Sequence, residues 1–344
     1  MNYKILIVGN ISESYQLGSM LVRASQELNI LFNTNDTNWN YYAPSMKYSW
    51  GKIIFKILNK RPLEWWFFNN NLIKNIVNIS PKIVISSGIL PLKNTVFDIC
   101  HKNNIKIVNY LTDSPWSKQN SCSKFISNLS KYDCIFSTKK LLMTDLVKAG
   151  AKKVHFLPFA FDPFLHHSLP ITANECESKF FPDVCLIGGA DADRIQFIDK
   201  FLLNFKGKLG LYGSYWHKNE KLNKFYHGVI FGDDFCKVVH NSKINIGLVR
   251  RANKDEHSMR SYEIPACGGA GIYEDTSEHR DLFQGYPEYG FFKSSEDLAK
   301  KCNWLLEHPV EREEMRQLGI ELIVTGTNTY TARLKTILEW CAQN

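Results

Sequence analysis

The chain has 344 residues, 44% of them hydrophobic, with 20 Gly and 12 Pro. That is about twice the usual single-domain length with ample apolar content, which excludes a disordered or fibrous chain and implies two domains. The net charge of +8 is uneven: residues 1–165 hold 20 Lys and Arg against 9 Asp and Glu, while residues 166–344 come to −3.

In chain order, Tyr3–Val8 is a buried strand that ends at Gly9-Asn10, too short for a leader peptide, and Gly18–Leu28 is an amphipathic helix. The stretch Trp39–Asn71 breaks the rhythm: Lys and Arg at 47, 52, 56, 60 and 61 interleave with Trp50, Phe55, Trp65, Trp66, Phe67 and Phe68. It suits an interfacial helix on anionic lipid, or aromatics that simply fill a core. Lys82–Ser86 and Ile105–Tyr110 are strands around helix Val96–His101, and Tyr132–Ser137 leads through helix Leu141–Ala149 to Val154–Leu157. Pro158, Pro163 and Pro170 mark a linker.

The second half repeats the scheme. Strands Val184–Ile187, Leu209–Tyr212, Ile244–Val249 and Gly271–Glu274 alternate with helices Arg194–Phe205, Phe235–Asn241 and Arg260–Cys267. Helices Glu296–Glu307, Pro309–Leu318 and Thr329–Trp340 follow. Continuous apolar strands separated by helices imply parallel sheets covered on both faces, in two doubly wound α/β domains with a cleft between them. The expected division is 1–165, 166–328 and a closing helix, 329–344, that packs back toward the first domain.

The most informative residues are Asp255–Gly271, DEHSMRSYEIPACGGAG. Glu263 stands at a strand-to-helix junction, where a carboxylate can accept both hydroxyls of a ribose; the plainer reading is a surface carboxylate favoured by the helix dipole. Gly268 and Gly269 would let backbone approach a phosphate, and Arg260, three positions before Glu263, would face a diphosphate or merely start the helix with an ion pair. Asp183–Arg194, DVCLIGGADADR, is a strand, a Gly188-Gly189 turn and an Arg at a helix start. It suits close approach to a phosphate but lacks the GK[ST] of a P-loop. Asp191 and Asp193 read as N-cap residues and not as metal ligands. Asp113 follows a strand in the first half and reads either as a general base or, with Ser114-Pro115, as a helix cap. The first loop has no G-x-G-x-x-G, which argues against a dinucleotide cofactor.

The Arg-Ser-Tyr-Glu-Ile-Pro-Ala-Cys-Gly-Gly run, with Glu296–Leu298, His308-Pro309-x-Glu311-Arg312-Glu313 and Asn328-Thr329-Tyr330-x-x-Arg333, resembles the group-1-like glycosyltransferases of the GT-B superfold. The spore-maturation (CgeB-like) branch is the most similar. The resemblance spans about residues 180–335; over 1–160 it is one of fold pattern. It implies a donor site for a nucleotide-diphosphate sugar with Glu263 on the ribose, and with Arg194 and Arg260 on the diphosphate. Asp255 stands where that family's commoner first Glu would be. It further implies that His257, Ser258, Gly189, Tyr212, Gly213, Val229 and Phe231 line the donor, the last two on the nucleobase loop. The expected activity is glycosyl transfer to a carbohydrate, lipid-linked or protein acceptor in glycan biosynthesis, without a cofactor or bound metal. The alternatives are a nucleotide-sugar 2-epimerase and a non-catalytic binding protein. Nine Cys without a C-x-x-C pair suggest reduced thiols in a bacterial cytoplasm, with peripheral contact to the inner membrane face as a further expectation. Zinc-finger spacing, RNA-binding aromatic motifs and heptads are absent, so nucleic acid is not an expected partner.

Overall fold

The computed structural model describes residues 4–38, 48–58, 62–118, 120–170 and 181–344. The chain forms two compact units: Met1–Pro158 with Ala252–Lys254 and Tyr330–Asn344, and Phe159–Arg251 with Asp255–Thr329.

The first unit contains β1 (Ile5–Gly9), α1 (Leu17–Glu27), β2 (Phe32–Asp36), α2 (Ser49–Leu58), α3 (Pro62–Ile79), β3 (Ile83–Ser87) and α4 (Asn94–Lys102). It continues through β4 (Lys106–Leu111), α5 (Ser123–Ser127), β5 (Cys134–Ser137), α6 (Lys140–Lys148) and β6 (Val154–Phe156). The six strands are all parallel, in the order β2-β1-β3-β4-β5-β6. Every residue of β1 and β3 is buried, because helices cover both faces and leave no place for alternating polar residues. Leu6, Val84, Ile107 and Ile135 pack with Phe68, Leu72 and Ile76 of α3 and with Val96 and Phe97 of α4. Each such side chain contributes roughly 1.5–3 kcal/mol of burial. Strand β2, Phe-Asn-Thr-Asn-Asp, escapes a reading by apolar pattern because it is an edge strand with one buried residue. The helix Tyr330–Gln343 also belongs to this unit, burying Tyr330, Leu334, Ile337 and Leu338. Its Arg333 Nε donates to the Pro158 carbonyl at 3.0 Å.

The aromatic stretch divides. Phe68 is buried in the core, whereas Trp50, Ile53, Leu63, Trp66 and Phe67 are exposed. Lys47, Lys60 and Arg61 lie outside the described residues, as do the side chains of Phe55 and Lys56.

The second unit contains β7 (Val184–Ile187), α7 (Ala192–Leu202), β8 (Leu209–Tyr212), α8 (Gly232–Asn241), β9 (Ile244–Gly247), α9 (Arg260–Ala266) and β10 (Gly271–Glu274). It closes with α10 (Ser277–Leu282), β11 (Phe291–Phe292), α11 (Ser295–Glu307) and α12 (Pro309–Val324); the helix Tyr330–Gln343 is α13. Its sheet is parallel throughout, in the order β11-β10-β9-β7-β8. The first five strands of each unit thus follow one scheme, in which the second strand lies outside the first and the third pairs on the first strand's other edge. The order reverses between β1 and β3 and between β7 and β9. In open α/β sheets, ligands bind beyond the strand C-termini at such a reversal.

His279, fully buried in α10, ties this unit together: its Nδ1 meets the Glu274 carbonyl at 2.7 Å and its Nε2 meets Ser261 Oγ at 2.8 Å. Burial, the largest cause, pushes its pKa down to about 4, so the folded protein keeps the ring neutral where the unfolded chain takes up a proton. The contribution is therefore fully present above the ordinary histidine value of about 6.5 and is lost as pH falls toward 4. Urea unfolding at pH 7 and at pH 4.5 is expected to show a stability loss of up to about 3 kcal/mol from this group. His279→Gln should flatten that slope; an unchanged slope would show that another group causes it.

Candidate functional site

The reversal between β7 and β9 is built from short, tightly joined loops. The Gly188 N–H donates to the Tyr212 carbonyl, the Ala190 N–H to that of Ser214, and the Gly213 N–H to that of Gly228, each at 2.8 Å. Trp216 Nε1 donates to the Gly188 carbonyl at 2.7 Å. Gly213 has φ +122°, and a Cβ there would lie 2.6 Å from the Gly188 carbonyl oxygen, so only glycine fits this crossing.

Asp191 caps α7 by accepting from the Arg194 N–H at 2.9 Å, and its other oxygen lies 3.3 Å from Arg250 Nε. The Arg194 guanidinium spans the reversal, donating to the Gly189 carbonyl at 3.0 Å and to the Leu248 carbonyl at 3.2 Å. Burial, and then the neighbouring Arg250, lower its pKa to about 10, which still leaves it charged at neutral pH. Asp255 is close enough to oppose that shift. Beside Arg194 lies a cavity of about 500 Å³ whose lining includes Phe197, Arg250, Arg251, Glu274 and Ser294.

Helix α9 supplies the second cluster. Glu263 is only 1% exposed, which overturns the surface-carboxylate reading. A carboxylate taken out of water must be paired, and here the Arg260 Nη1 donates to its Oε2 while His166 Nε2 stands 3.5 Å from its Oε1. The Arg260 Nε also donates to the Ile187 carbonyl at 3.0 Å, at the end of β7, and its guanidinium lies 4.6 Å above the Phe235 ring. Arg260 and Glu263 thus sit together at the reversal, with Arg194 engaged at the same loop ends.

Other expected residues are placed differently. Gly268 and Gly269 cap the C-terminus of α9, the Gly268 N–H reaching the Pro265 carbonyl and the Gly269 N–H that of Ile264, both at 2.9 Å. Gly268 has φ +75°, the left-handed turn that ends many helices, and it lies at the opposite end of α9 from Arg260. His257 is buried, with Nε2 accepting from the Phe159 N–H at 3.2 Å and Nδ1 against Glu278, so it offers neither ring nitrogen to a phosphate. The Tyr212 side chain is core, leaving only its backbone at the loop. The Ser258 N–H donates to Ser261 Oγ at 3.1 Å, which steadies the start of α9. Val229 and Phe231 are both exposed, in the loop that leads into α8. In the first unit, Asp113 accepts from Thr112 Oγ1 at 2.9 Å and from Asn253 Nδ2 at 3.0 Å. Residues 114–118 are not helical and α5 begins only at Ser123 after Cys122, so Asp113 caps no helix, which overturns the capping alternative. His166 and Phe235 went unread in the sequence, since a histidine in a proline-rich linker and an apolar helix residue carry no signal for a carboxylate 97 and 28 positions away.

Among the described residues, no group of three or more His, Cys, Asp or Glu could hold a metal, and no helix is long and apolar enough to cross a membrane.

Residues 194–339 match the family described as Glycosyl transferase-like. No curated protein matches the chain in sequence. Among solved structures, sucrose-phosphate synthase from Thermosynechococcus elongatus is 11% identical, with a TM-score of 0.68 and 99% of each chain covered. Anabaena HepE in complex with UDP is 10% identical with a TM-score of 0.62, covering 99% of this chain and 100% of that one. T4 phage BGT in complex with its UDP-glucose substrate is 13% identical with a TM-score of 0.56, covering 98% and 99%. This chain has the GT-B fold. The recognition of its C-terminal region as group-1-like agrees with the family match, which takes in Arg194, Arg260 and Glu263.

Proposed function

We propose that this GT-B chain transfers a sugar from a nucleotide-diphosphate donor to an acceptor hydroxyl. The observation that carries the reading is the buried Glu263 beside Arg260 at the β7/β9 reversal, where the fold expects a ligand. A buried carboxylate paired with an arginine that reaches the end of β7 suits the two hydroxyls of a ribose, and the adjacent Arg260 suits the diphosphate. Stabilising the charge that grows on the departing diphosphate is the main catalytic contribution, shared by Arg260, Arg194 and loop N–H groups. Asp113 takes the acceptor proton, which gives inversion at the anomeric carbon. The UDP and UDP-glucose in the solved neighbours make UDP the first nucleotide to try.

Mass spectrometry of UDP-glucose incubated with the protein alone tests this reading. Slow release of UDP that persists in EDTA is expected, because Asp191 is occupied as a helix cap and on Arg250. Conversion to an isomeric sugar nucleotide would establish the epimerase alternative. Loss of turnover in EDTA with recovery on adding Mn²⁺ would establish a metal requirement.

The acceptor side includes an anionic membrane surface. Trp66 and Phe67 are 50% and 51% exposed on α3, Trp50 and Ile53 are exposed on α2, and Lys93 Nζ sits 5.1 Å above the Trp66 ring. Aromatics at headgroup depth with cations beside them bind anionic lipid. Co-sedimentation with phosphatidylglycerol vesicles is expected at low salt and should disappear at about 1 M salt, where screening acts within roughly 3 Å. Folded protein that stays in the supernatant at low salt would point to a soluble acceptor.

A further inference from the structure

We infer that His166 is a positioning residue for the donor: it holds Glu263 in the orientation that receives the ribose. The inference rests on the proposed ribose role of Glu263 and adds a residue outside the Asp255–Gly271 motif. The local chain builds the contact. Asp162 opens a turn in which its Oδ1 accepts from the Phe164 N–H at 3.0 Å, and its carbonyl accepts from the N–H groups of Leu165 and His166 at 3.0 and 2.8 Å. The Asp162 N–H in turn donates to His166 Nδ1 at 3.0 Å. A main-chain N–H cannot give up its role as donor, so Nδ1 must be the acceptor and the ring proton belongs on Nε2. Nε2 is the nitrogen that faces Glu263 Oε1, 3.5 Å away, at the long end of hydrogen-bond reach.

The arrangement divides the carboxylate. Oε2 is met by Arg260 and Oε1 by His166, both from within the second unit, and the Phe235 ring contacts both partners, in a T-shaped pair with the imidazole at 5.9 Å and beneath the guanidinium. When a diphosphate draws Arg260 away, His166 remains as the partner that keeps the buried carboxylate oriented. A second hydrogen bond that fixes a ligand-binding group is how supporting residues commonly act.

Calorimetry with UDP, on protein checked for folding by thermal unfolding, tests this. His166→Gln, whose amide can reach Glu263, should bind within about threefold of wild type. His166→Asn and His166→Leu, which cannot reach it, should bind roughly tenfold more weakly, the loss of one hydrogen bond to a charged group. In a Glu263→Ala background, the same His166 changes should have no further effect. If Glu263→Ala weakens UDP binding while His166→Asn and His166→Leu bind like wild type, the positioning role is wrong and the ribose reading stands. Should Glu263→Ala bind UDP as wild type does, or wild type not bind it, both fall together. Equal losses in the Gln, Asn and Leu variants would reduce His166 to a structural residue.

Discussion

Glu263→Ala is expected to weaken binding of UDP by about 2–4 kcal/mol, or roughly 30- to 900-fold, while the protein stays folded. The size follows from what is removed: an ionised acceptor for two ribose hydroxyls, already desolvated, so that no water must be stripped from it when the nucleotide arrives. The fold should tolerate the change because Arg260 keeps the Ile187 carbonyl and the Phe235 ring, and its side chain is 31% exposed and can find water. Glu263→Gln keeps one acceptor and loses the charge, and should fall between the two. Isothermal titration of the three proteins decides the matter, and equal affinities would remove the ribose assignment.

Asp113→Asn is expected to lower kcat of sugar transfer by roughly 10²- to 10⁴-fold with little change in donor KM, the usual effect of losing a general base. The substitution should preserve local structure. Asn253 Nδ2 can still donate to the remaining side-chain carbonyl, and the Thr112 hydroxyl can rotate to accept from the new amide. The backbone is held independently, by the Ser114 N–H donating to Asn253 Oδ1 at 2.8 Å. Steady-state kinetics with a competent acceptor read the effect. Transfer at the wild-type rate would assign the proton to another group and remove the argument for inversion.

The fold was readable in the sequence where burial was uniform. Strands Val184–Ile187, Leu209–Tyr212 and Gly271–Glu274 have the expected limits, because a strand buried on both faces is mostly apolar, Glu274 at the end of the last being paired with Arg251. β2 was lost because its edge position allows polar residues, and β11 because two residues make no pattern. At the site, Arg260 and Glu263 were readable because they share one helical turn. Gly268 and Gly269 were ambiguous for a physical reason: the same freedom in φ serves a phosphate loop and a helix terminus, and in the structure the pair ends α9. His166 reaches Glu263 through a turn in the linker, a meeting of distant segments that no local spacing records.

The placement of Tyr330–Gln343 within the first unit bears on how a ribosome must deliver this molecule. Domains emerging from the tunnel generally fold as they appear, N-terminal first. Here the leading sheet emerges without one of its covering helices, and the face of α1 that packs on α13 stays bare until some three hundred further residues have been translated, when Thr331 meets Glu27. Nascent chains stalled before Tyr330 should therefore hold a trailing domain that is complete and a leading one that chaperones still recognise.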